Sequence, residues 1–285
     1  MVTGANGQLG RCIQDLAKTT AGEAYNFFFT DVDTLDICKA DQIEQAVTEH
    51  QIDAIVNACG YTAVDKAEDE RKQAFAINRD GTANLAFVAR QHDLYLVHIS
   101  TDYVYSGNAC KPYRESDAIG PLSIYGKSKA AGEVAIHDMG CNATIIRTSW
   151  LYSEYGNNFV KTMLRLGDER DQISVVCDQI GAPTYAGDLA KAIFKTLECN
   201  IDKKGVIIYN FSNEGSITWF DFAKSIMEIG GRECDVLSIF TEEYPTKAMR
   251  PAYSVFNLRK IKEELGIDIP YWRESLTLII NKLNK

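Results

Sequence analysis

The chain has 285 residues and a formal net charge of −9, with 46% hydrophobic and 24% charged residues. This composition is that of an ordinary globular protein, and its acidic balance argues against nucleic-acid partners, which require a basic surface. No segment is long and apolar enough to span a bilayer and no signal-peptide pattern opens the chain, so we expect no membrane partner.

Eight cysteines and four histidines are scattered along the chain. No two cysteines have C-x-x-C spacing and the histidines lack the spacing of metalloproteases, so we expect neither a metal site nor a disulfide framework. Scattered thiols suit a reducing compartment, and we therefore predict a cytoplasmic protein.

Short apolar runs alternate with helical patterns through the first half of the chain. After a very short opening strand, the predicted strands cover 25–30, 54–57, 95–100 and 143–147. The predicted helices cover 8–17, 43–49, 73–90 and 123–136. This alternation predicts right-handed βαβ units, and hence an α/β fold with a doubly wound parallel (Rossmann) sheet. Little room precedes the first glycine, and whether residues before Met1 are missing stays open.

The second half is less regular and shows no clean linker. Its predicted helices cover 157–166, 187–197, 219–229, 258–265 and 272–283, and a β-rich run covers 206–212. Thr218 is the expected cap of the third of these helices. We expect this half to form a smaller C-terminal lobe that is interleaved with the first half.

Three glycines follow the first strand and open the first helix in a G-x-x-G-x-x-G pattern. Gly4 permits a tight turn, Gly7 lets the backbone approach a pyrophosphate, and Gly10 allows close helix–strand packing. The helix N-terminus adds free N–H groups and a partial positive charge. The loop therefore predicts a dinucleotide cofactor, NADH or NADPH, held by Gly4, Gly7, Gln8, Leu9 and Gly10.

An acidic residue ends the second strand, about 20 residues beyond the last glycine. Asp31 can accept hydrogen bonds from a ribose 2′-hydroxyl and repels a 2′-phosphate, which favours NAD, whereas the neighbouring Arg11 would tolerate NADP. The choice between NADH and NADPH stays open. Further expected contacts to the cofactor are Asp36, Ile37, Ala58, Cys59, Gly60 and Ser100.

A Y-x-x-x-K pattern carries the expected chemistry. Tyr125 and Lys129 lie four residues apart and share one helix face, so the ammonium, together with an oxidised nicotinamide, should lower the tyrosine pKa. Tyr125 is then the acid that protonates a carbonyl oxygen as hydride arrives, and Lys129 also holds the nicotinamide ribose. The preceding strand ends in Ser100 and Thr101, whose hydroxyls can orient the substrate carbonyl at the ligand-binding edge of the sheet.

These motifs resemble the extended short-chain dehydrogenase/reductase family, and within it the dTDP-4-dehydrorhamnose reductases. The resemblance rests on seven runs and a late Arg-Pro: V-T-G-A-N-G-Q-L-G (2–10), N-A-C-G-Y-T-A-V-D-K-A-E (57–68), S-T-D-Y-V-Y (100–105), Y-G-K-S-K-A-A-G-E (125–133), R-T-S-W-L-Y (147–152), N-N-F-V-K-T-M-L (157–164), D-Q-I-G-A-P-T (178–184) and R-P (250–251). They extend over most of the chain.

The resemblance implies that the 4-keto group of dTDP-4-dehydro-6-deoxy-L-mannose is reduced to dTDP-L-rhamnose by NAD(P)H. It implies sugar contacts from Thr101, Asp102 and Trp150. It also suggests contacts to the nucleotide diphosphate from Asn158, Lys161 and Arg250. Residues 1–150, rejoined by about 184–212, would form the NAD(P)-binding domain, and 151–183 with 213–285 the substrate-binding lobe.

One departure from the family and three alternative functions remain. Some relatives are magnesium-linked dimers with an acidic residue on the first helix. This chain has Cys12 there, and Gly187 supplies no replacement carboxylate. We therefore predict no metal, while a homodimer stays possible.

Another nucleotide-sugar 4-ketoreductase is an open alternative. A sugar-nucleotide 4,6-dehydratase or epimerase is a related alternative, of which the dehydratase is disfavoured, since dehydratases of this family carry an acid where this chain has Tyr103. A non-catalytic subunit of the methionine adenosyltransferase type would not need the Tyr125–Lys129 pair.

Overall fold

The computed structural model describes residues 1–284 and contains a six-stranded parallel sheet. The strands in the described residues are β1 Val2–Thr3, β2 Phe29–Thr30, β3 Ala54–Asn57, β4 Tyr95–Thr101, β5 Asn142–Thr148, β6 Leu151–Tyr152, β7 Gln172–Val176, β8 Ile180–Gly181, β9 Thr184–Tyr185, β10 Val206–Phe211, β11 Ile217–Thr218 and β12 Asp235–Ile239. The order across the main sheet is β10–β5–β4–β3–β1–β2, and every neighbouring pair is parallel. The doubly wound α/β prediction is confirmed.

Helices cover both faces of this sheet. They are α1 Gln8–Ala17, α2 Ala40–Glu49, α3 Val64–Asp69, α4 Arg71–Phe75, α5 Thr82–Gln91, α6 Ile124–Met139, α7 Phe159–Glu169, α8 Ala186–Asn200, α9 Trp219–Gly230, α10 Arg259–Leu265 and α11 Trp272–Leu283. One core joins α1, α8 and α10 to the sheet, and a second joins α2, α5 and α6 to its other face. Because both faces are covered, the central strands β4 and β5 are buried nearly throughout rather than on alternating residues.

A third core lies in the C-terminal part of the chain. The strands β7 and β12 form a parallel pair, and α7, α9 and α11 pack around the buried side chains of Phe222, Ile226 and Leu276. Two short ladders, β6 with β9 and β8 with β11, lie next to it in sequence. The sequence pattern did not predict β7 or β12, since five alternating residues are a weak signal.

The observed helices differ from the sequence prediction at one informative place. The helix predicted over 73–90 is a helical path that a π-helical turn at Ala76–Gly81 divides into α4 and α5. The wider turn places Asn78 in the interior, where its side chain hydrogen-bonds Tyr61 and Ser128. A strand predicted over 25–30 is confined to its last two residues, whereas Thr218 does cap α9, as predicted.

A buried ion pair fastens α6 to the sheet. Arg147 at the end of β5 and Glu133 on α6 lie 2.6 Å apart, and each side chain is 4% exposed. Arg147 also donates a hydrogen bond to the Tyr105 hydroxyl at 2.8 Å, and Ser100 at the end of β4 donates to Glu133. These contacts satisfy both buried charges and fix the helix that carries Tyr125.

We predict that Arg147→Met lowers the free energy of unfolding by about 3–5 kcal/mol, because it leaves the Glu133 carboxylate buried without a partner. Arg165→Met is the matched control, since Arg165 pairs with Glu169 on the surface, and its effect should stay below about 1 kcal/mol. Urea denaturation measures both variants. Equal losses in the two would show that the buried pair has no special role.

Candidate active site

A cleft of about 680 Å³ runs along the carboxyl ends of the parallel strands. Most of the residues that the sequence marks for cofactor or sugar line it: Gly4, Gly7, Gln8, Leu9, Asp31, Ala58, Cys59, Gly60, Ser100, Thr101, Asp102, Tyr125, Lys129 and Trp150. The fold therefore brings the glycine loop and the Tyr–Lys pair, which lie far apart in the sequence, to one cavity. This is the ligand-binding edge of an open α/β sheet.

The glycine loop has the geometry that its spacing predicts. Gly4 has φ of +69°, and a Cβ there would lie 2.7 Å from the backbone of Cys59, so another residue would be strained and crowded. Gly10 does not line the cleft; a Cβ there would meet the Gly4 carbonyl oxygen at 2.3 Å, so it serves close packing. Gly7 precedes α1 and has no side chain to cap it, which leaves N–H groups of the first turn available to an anion.

Asp31 is held against the glycine loop. One carboxylate oxygen accepts a hydrogen bond from the backbone N–H of Asn6 at 2.8 Å, and the other accepts from Val32 at 2.8 Å. The negative charge therefore lies at the end of the cleft that the glycine loop forms. Asp36 and Ile37 follow in the next turn, and they are not part of the cleft lining.

Tyr125 and Lys129 lie on α6, which Ser123 caps by accepting a hydrogen bond from Gly126. The Lys129 ammonium donates to the carbonyl oxygen of Ile99 at 2.6 Å and lies 3.3 Å from Nε2 of the fully buried His98. Burial lowers the pKa of Lys129 to about 8. The Lys129 side chain is thus held in place at the end of β4, and its pKa lies close to neutral pH.

The pKa of Tyr125 moves in the direction opposite to the sequence expectation. Burial raises it to about 12, which outweighs the lowering by the hydroxyl of Thr101, and the charge of Asp102 raises it further. The phenol therefore keeps its proton at neutral pH in the free protein. That state suits a proton donor in a reduction.

Asp102 is the buried acid of the site. Its Oδ1 accepts a hydrogen bond from the Thr101 hydroxyl at 3.0 Å, whereas its Oδ2 is buried without a partner. Burial raises the pKa of Asp102 from 3.8 to about 6. The carboxyl group therefore lies at the wall of the cleft, next to Thr101, with its charged form disfavoured by burial.

Three residues expected near the nucleotide do not line the cleft. The Asn158 side chain donates to Gln8 Oε1 at 3.0 Å and to the Ser153 carbonyl oxygen at 2.7 Å. The Lys161 ammonium donates to the carbonyl oxygen of Gly156 at 2.8 Å, so both residues hold the loop 153–158 beside the glycine turn. Arg250 lines a neighbouring cavity of about 520 Å³ and pairs with Asp65 at 2.7 Å.

Sequence reasoning missed Trp219, which lines both the cleft and the neighbouring cavity. Its indole stacks on that of Trp150, with ring centroids 3.6 Å apart and planes inclined by 12°. The sequence signal was limited to the capping residue Thr218, which places Trp219 at the start of α9. Nothing in the linear pattern relates it to Trp150.

Two negative findings apply to residues 1–284. No helix there combines the length and apolar character needed to cross a bilayer. No group of three or more His, Cys, Asp or Glu side chains within that range is arranged to hold a metal ion. All eight cysteines are free thiols.

A doubly wound sheet with a glycine turn and a Tyr–Lys pair in one cleft defines an extended short-chain dehydrogenase/reductase. The family model described as the RmlD substrate binding domain matches residues 1–285. The dTDP-4-dehydrorhamnose reductase of Aggregatibacter actinomycetemcomitans is 40% identical over 97% of this chain and 96% of its own length. The chain belongs to this family, the dTDP-4-dehydrorhamnose reductases, and the resemblance drawn from the sequence is confirmed.

Two further comparisons agree with this membership. The spore coat polysaccharide biosynthesis protein SpsK of Bacillus subtilis is 42% identical, with 97% of this chain and 94% of that protein covered. The crystal structure of dTDP-4-dehydrorhamnose reductase from Bacillus anthracis in complex with NADP is 42% identical and has a TM-score of 0.92. The structural alignment covers 99% of this chain and 98% of the Bacillus anthracis chain. The shared architecture therefore extends over the whole chain.

We predict that Asp102→Asn stabilises the protein at pH 8 by up to about 3 kcal/mol, from a pKa shift of about two units at 1.36 kcal/mol each. The pKa of Asp102 is higher in the folded state than in the unfolded state, so between about pH 4 and 6 the folded state binds a proton that the unfolded state has lost. The free energy of unfolding therefore falls as the pH rises through this range. The neutral amide side chain of the variant does not titrate and avoids this loss. Thermal unfolding of wild type and variant at pH 4 and pH 8 tests it, with the exposed Asp33→Asn as control. A gain that is equal at both pH values would contradict the assignment.

Proposed function

We propose that this protein reduces the 4-keto group of dTDP-4-dehydro-6-deoxy-L-mannose to dTDP-L-rhamnose with NADH or NADPH. The observation that carries the proposal is the convergence of Thr101, Tyr125 and Lys129 with the glycine turn in one cleft. The names of the relatives and the NADP complex of the Bacillus anthracis protein support it. A polysaccharide precursor also fits the name of the SpsK relative.

The residues of the cleft fit a dinucleotide. The first turn of α1, with Gly7, Gln8 and Leu9, would hold the pyrophosphate, because its N–H groups and the helix dipole favour an anion. Asp31 would accept hydrogen bonds from the adenosine ribose, and Lys129 would donate to the nicotinamide ribose. When bound, the cofactor supplies the hydride. The remaining expected contacts are Gly4, Gly10, Asp36, Ile37, Ala58, Cys59, Gly60, Ser100 and Tyr125.

The chain supplies the proton and the orientation of the ketone. Tyr125 keeps its proton at neutral pH and donates it to the carbonyl oxygen as negative charge develops there. The hydroxyl of Thr101 orients that oxygen, and the Lys129 cation, fixed by the Ile99 carbonyl, stabilises the resulting phenolate. Because the site is buried, solvent screens these charges little, and the electrostatic interactions between them are therefore stronger than in water.

Contacts to the substrate follow from the same cleft. Asp102 offers its unpartnered oxygen to a sugar hydroxyl, and Trp150 offers an indole surface to the sugar ring. Arg250 would bind the diphosphate, which requires that the phosphate compete with Asp65 for the guanidinium. The contacts of Asn158 and Lys161 favour an indirect role, in which they hold the loop beside the glycine turn.

The wider assignments follow the same proposal. Residues 1–150, rejoined by about 184–212, would bind the dinucleotide, and 151–183 with 213–285 would bind the sugar nucleotide. Free thiols suit a location in the reducing cytoplasm. A homodimer is proposed from the family resemblance, without a metal at Cys12 and Gly187.

The direct experiment supplies enzymatically prepared dTDP-4-keto-rhamnose with NADH or NADPH. It follows the loss of cofactor absorbance and identifies the product sugar. Turnover with a different 4-keto sugar nucleotide alone would establish the alternative 4-ketoreductase. Binding without turnover of any such sugar would instead favour the non-catalytic alternative.

We predict that Tyr125→Phe lowers kcat by roughly two to four orders of magnitude, because it removes the proton donor. Tyr271→Phe is the matched control, since it changes an exposed tyrosine outside the cleft and should leave kcat unaltered. Initial rates with saturating substrates measure both variants. If the Tyr125 variant retained wild-type turnover, another acid would have to serve.

We predict that Asp31→Asn raises the ratio of kcat/KM for NADPH over NADH about tenfold or more, since it removes the charge that repels a 2′-phosphate. Arg11→Ala, beside the same loop, should lower that ratio. Initial rates with each cofactor at fixed sugar nucleotide measure both. An unchanged ratio in the Asp31 variant would place the adenosine ribose elsewhere.

A further inference from the structure

The backbone of Trp150 is held in an unusual conformation. Its φ is +46°, in the left-handed region that bulky residues rarely adopt. Within residues 1–284 the other non-glycine residues with positive φ are Gln51 and Asp93, which lie just after the ends of α2 and α5. Trp150 instead lies in the cleft after β5, and such strain persists only where surrounding contacts impose it.

Two neighbours restrict the indole of Trp150. Trp219 covers one ring face by stacking at 3.6 Å. Gly181 approaches the indole so closely that a Cβ there would lie 2.7 Å from the six-membered ring. The backbone is held as well, because the Trp150 carbonyl accepts a hydrogen bond from Thr184 at 3.2 Å. Ring and backbone are thus both held in place.

One short ladder places both neighbours. Strands β8 and β11 are antiparallel, with Gly181 opposite Ile217, so Trp219 follows two residues after the residue paired with Gly181. Backbone hydrogen bonds between Ile180 and the segment 252–254 hold β8 on its other side. Trp219 is further packed against Phe159, with ring centroids 4.6 Å apart. The support of Trp150 is therefore built from the rigid core of the C-terminal part.

We propose that Trp219 and Gly181 are positioning residues that hold the Trp150 indole flat against the sugar ring of the substrate. Trp219 stacks on one face of the indole, and Gly181, which has no side chain, leaves the space that the ring needs. A sugar presents C–H groups on its ring faces, and these groups can pack against an indole. An indole that is already immobilised loses little side-chain entropy when the sugar binds. The proposal rests on the proposed function only in taking a dTDP-sugar as the ligand.

The test measures affinity by calorimetry for dTDP-L-rhamnose and for dTDP, which lacks the sugar. Trp219→Leu should reduce the preference for the sugar-bearing ligand about 2- to 12-fold, the usual worth of an aromatic pair. Trp219→Phe should restore part of it. Gly181→Ala should reduce the same preference while Trp219 remains, which serves if the leucine variant folds poorly.

A double-mutant cycle separates positioning from direct contact. In a Trp150→Ala background, Trp219→Leu should change the preference by less than about twofold, since no indole remains to be positioned. Additive effects would overturn the proposal. Far-ultraviolet circular dichroism gives a second readout, because stacked indoles produce an exciton couplet. It should disappear in Trp219→Leu and persist in Trp272→Phe, whose tryptophan contacts Phe222 and Tyr271.

The outcomes distinguish this proposal from the proposed function. An intact couplet in Trp219→Leu, or a lost couplet with unchanged sugar preference, overturns the positioning role whether or not the enzyme turns over. If the wild type does not reduce the 4-keto sugar nucleotide, the proposed function fails. A sugar preference that depends on Trp219 through Trp150 would still support the positioning role in that case.

Discussion

The site depends on two opposite charges buried one turn apart on α6. Lys129 is held by the Ile99 carbonyl at the end of β4, and Glu133 is paired with Arg147 at the end of β5. A charge buried without a partner is costly, so these contacts hold the helix in position against the two strands. That position brings Tyr125, one turn before Lys129, to the carboxyl edge of the sheet.

The same burial determines the protonation states available for chemistry. It raises the pKa of Tyr125 and Asp102 and lowers that of Lys129, so each group is displaced toward its neutral form. A protonated phenol is the state that a reduction consumes. Desolvation of the phenolate is the largest effect on the tyrosine pKa, and the opposing contribution comes from the hydroxyl of Thr101, not from the lysine.

The part of the cleft around Trp150 is assembled from distant segments. Trp150 follows β5 and Trp219 begins α9, and both line the cleft, whereas Arg250, in the segment after β12, lines the neighbouring cavity that Trp219 also borders.

The sequence by itself determined the sheet class, the glycine turn and the Tyr125–Lys129 pair, because these depend on spacings of three or four residues that local geometry converts into turns and helix faces. The tertiary structure decided the pKa of Tyr125, the Asp65 partner of Arg250 and the stack of Trp219 on Trp150. Burial and long-range pairing depend on which segments pack together, and no periodicity within one segment carries that information. The π-helical turn inside the predicted helix 73–90 also depends on tertiary structure, because Asn78 in this turn hydrogen-bonds Tyr61 and Ser128, which belong to other segments.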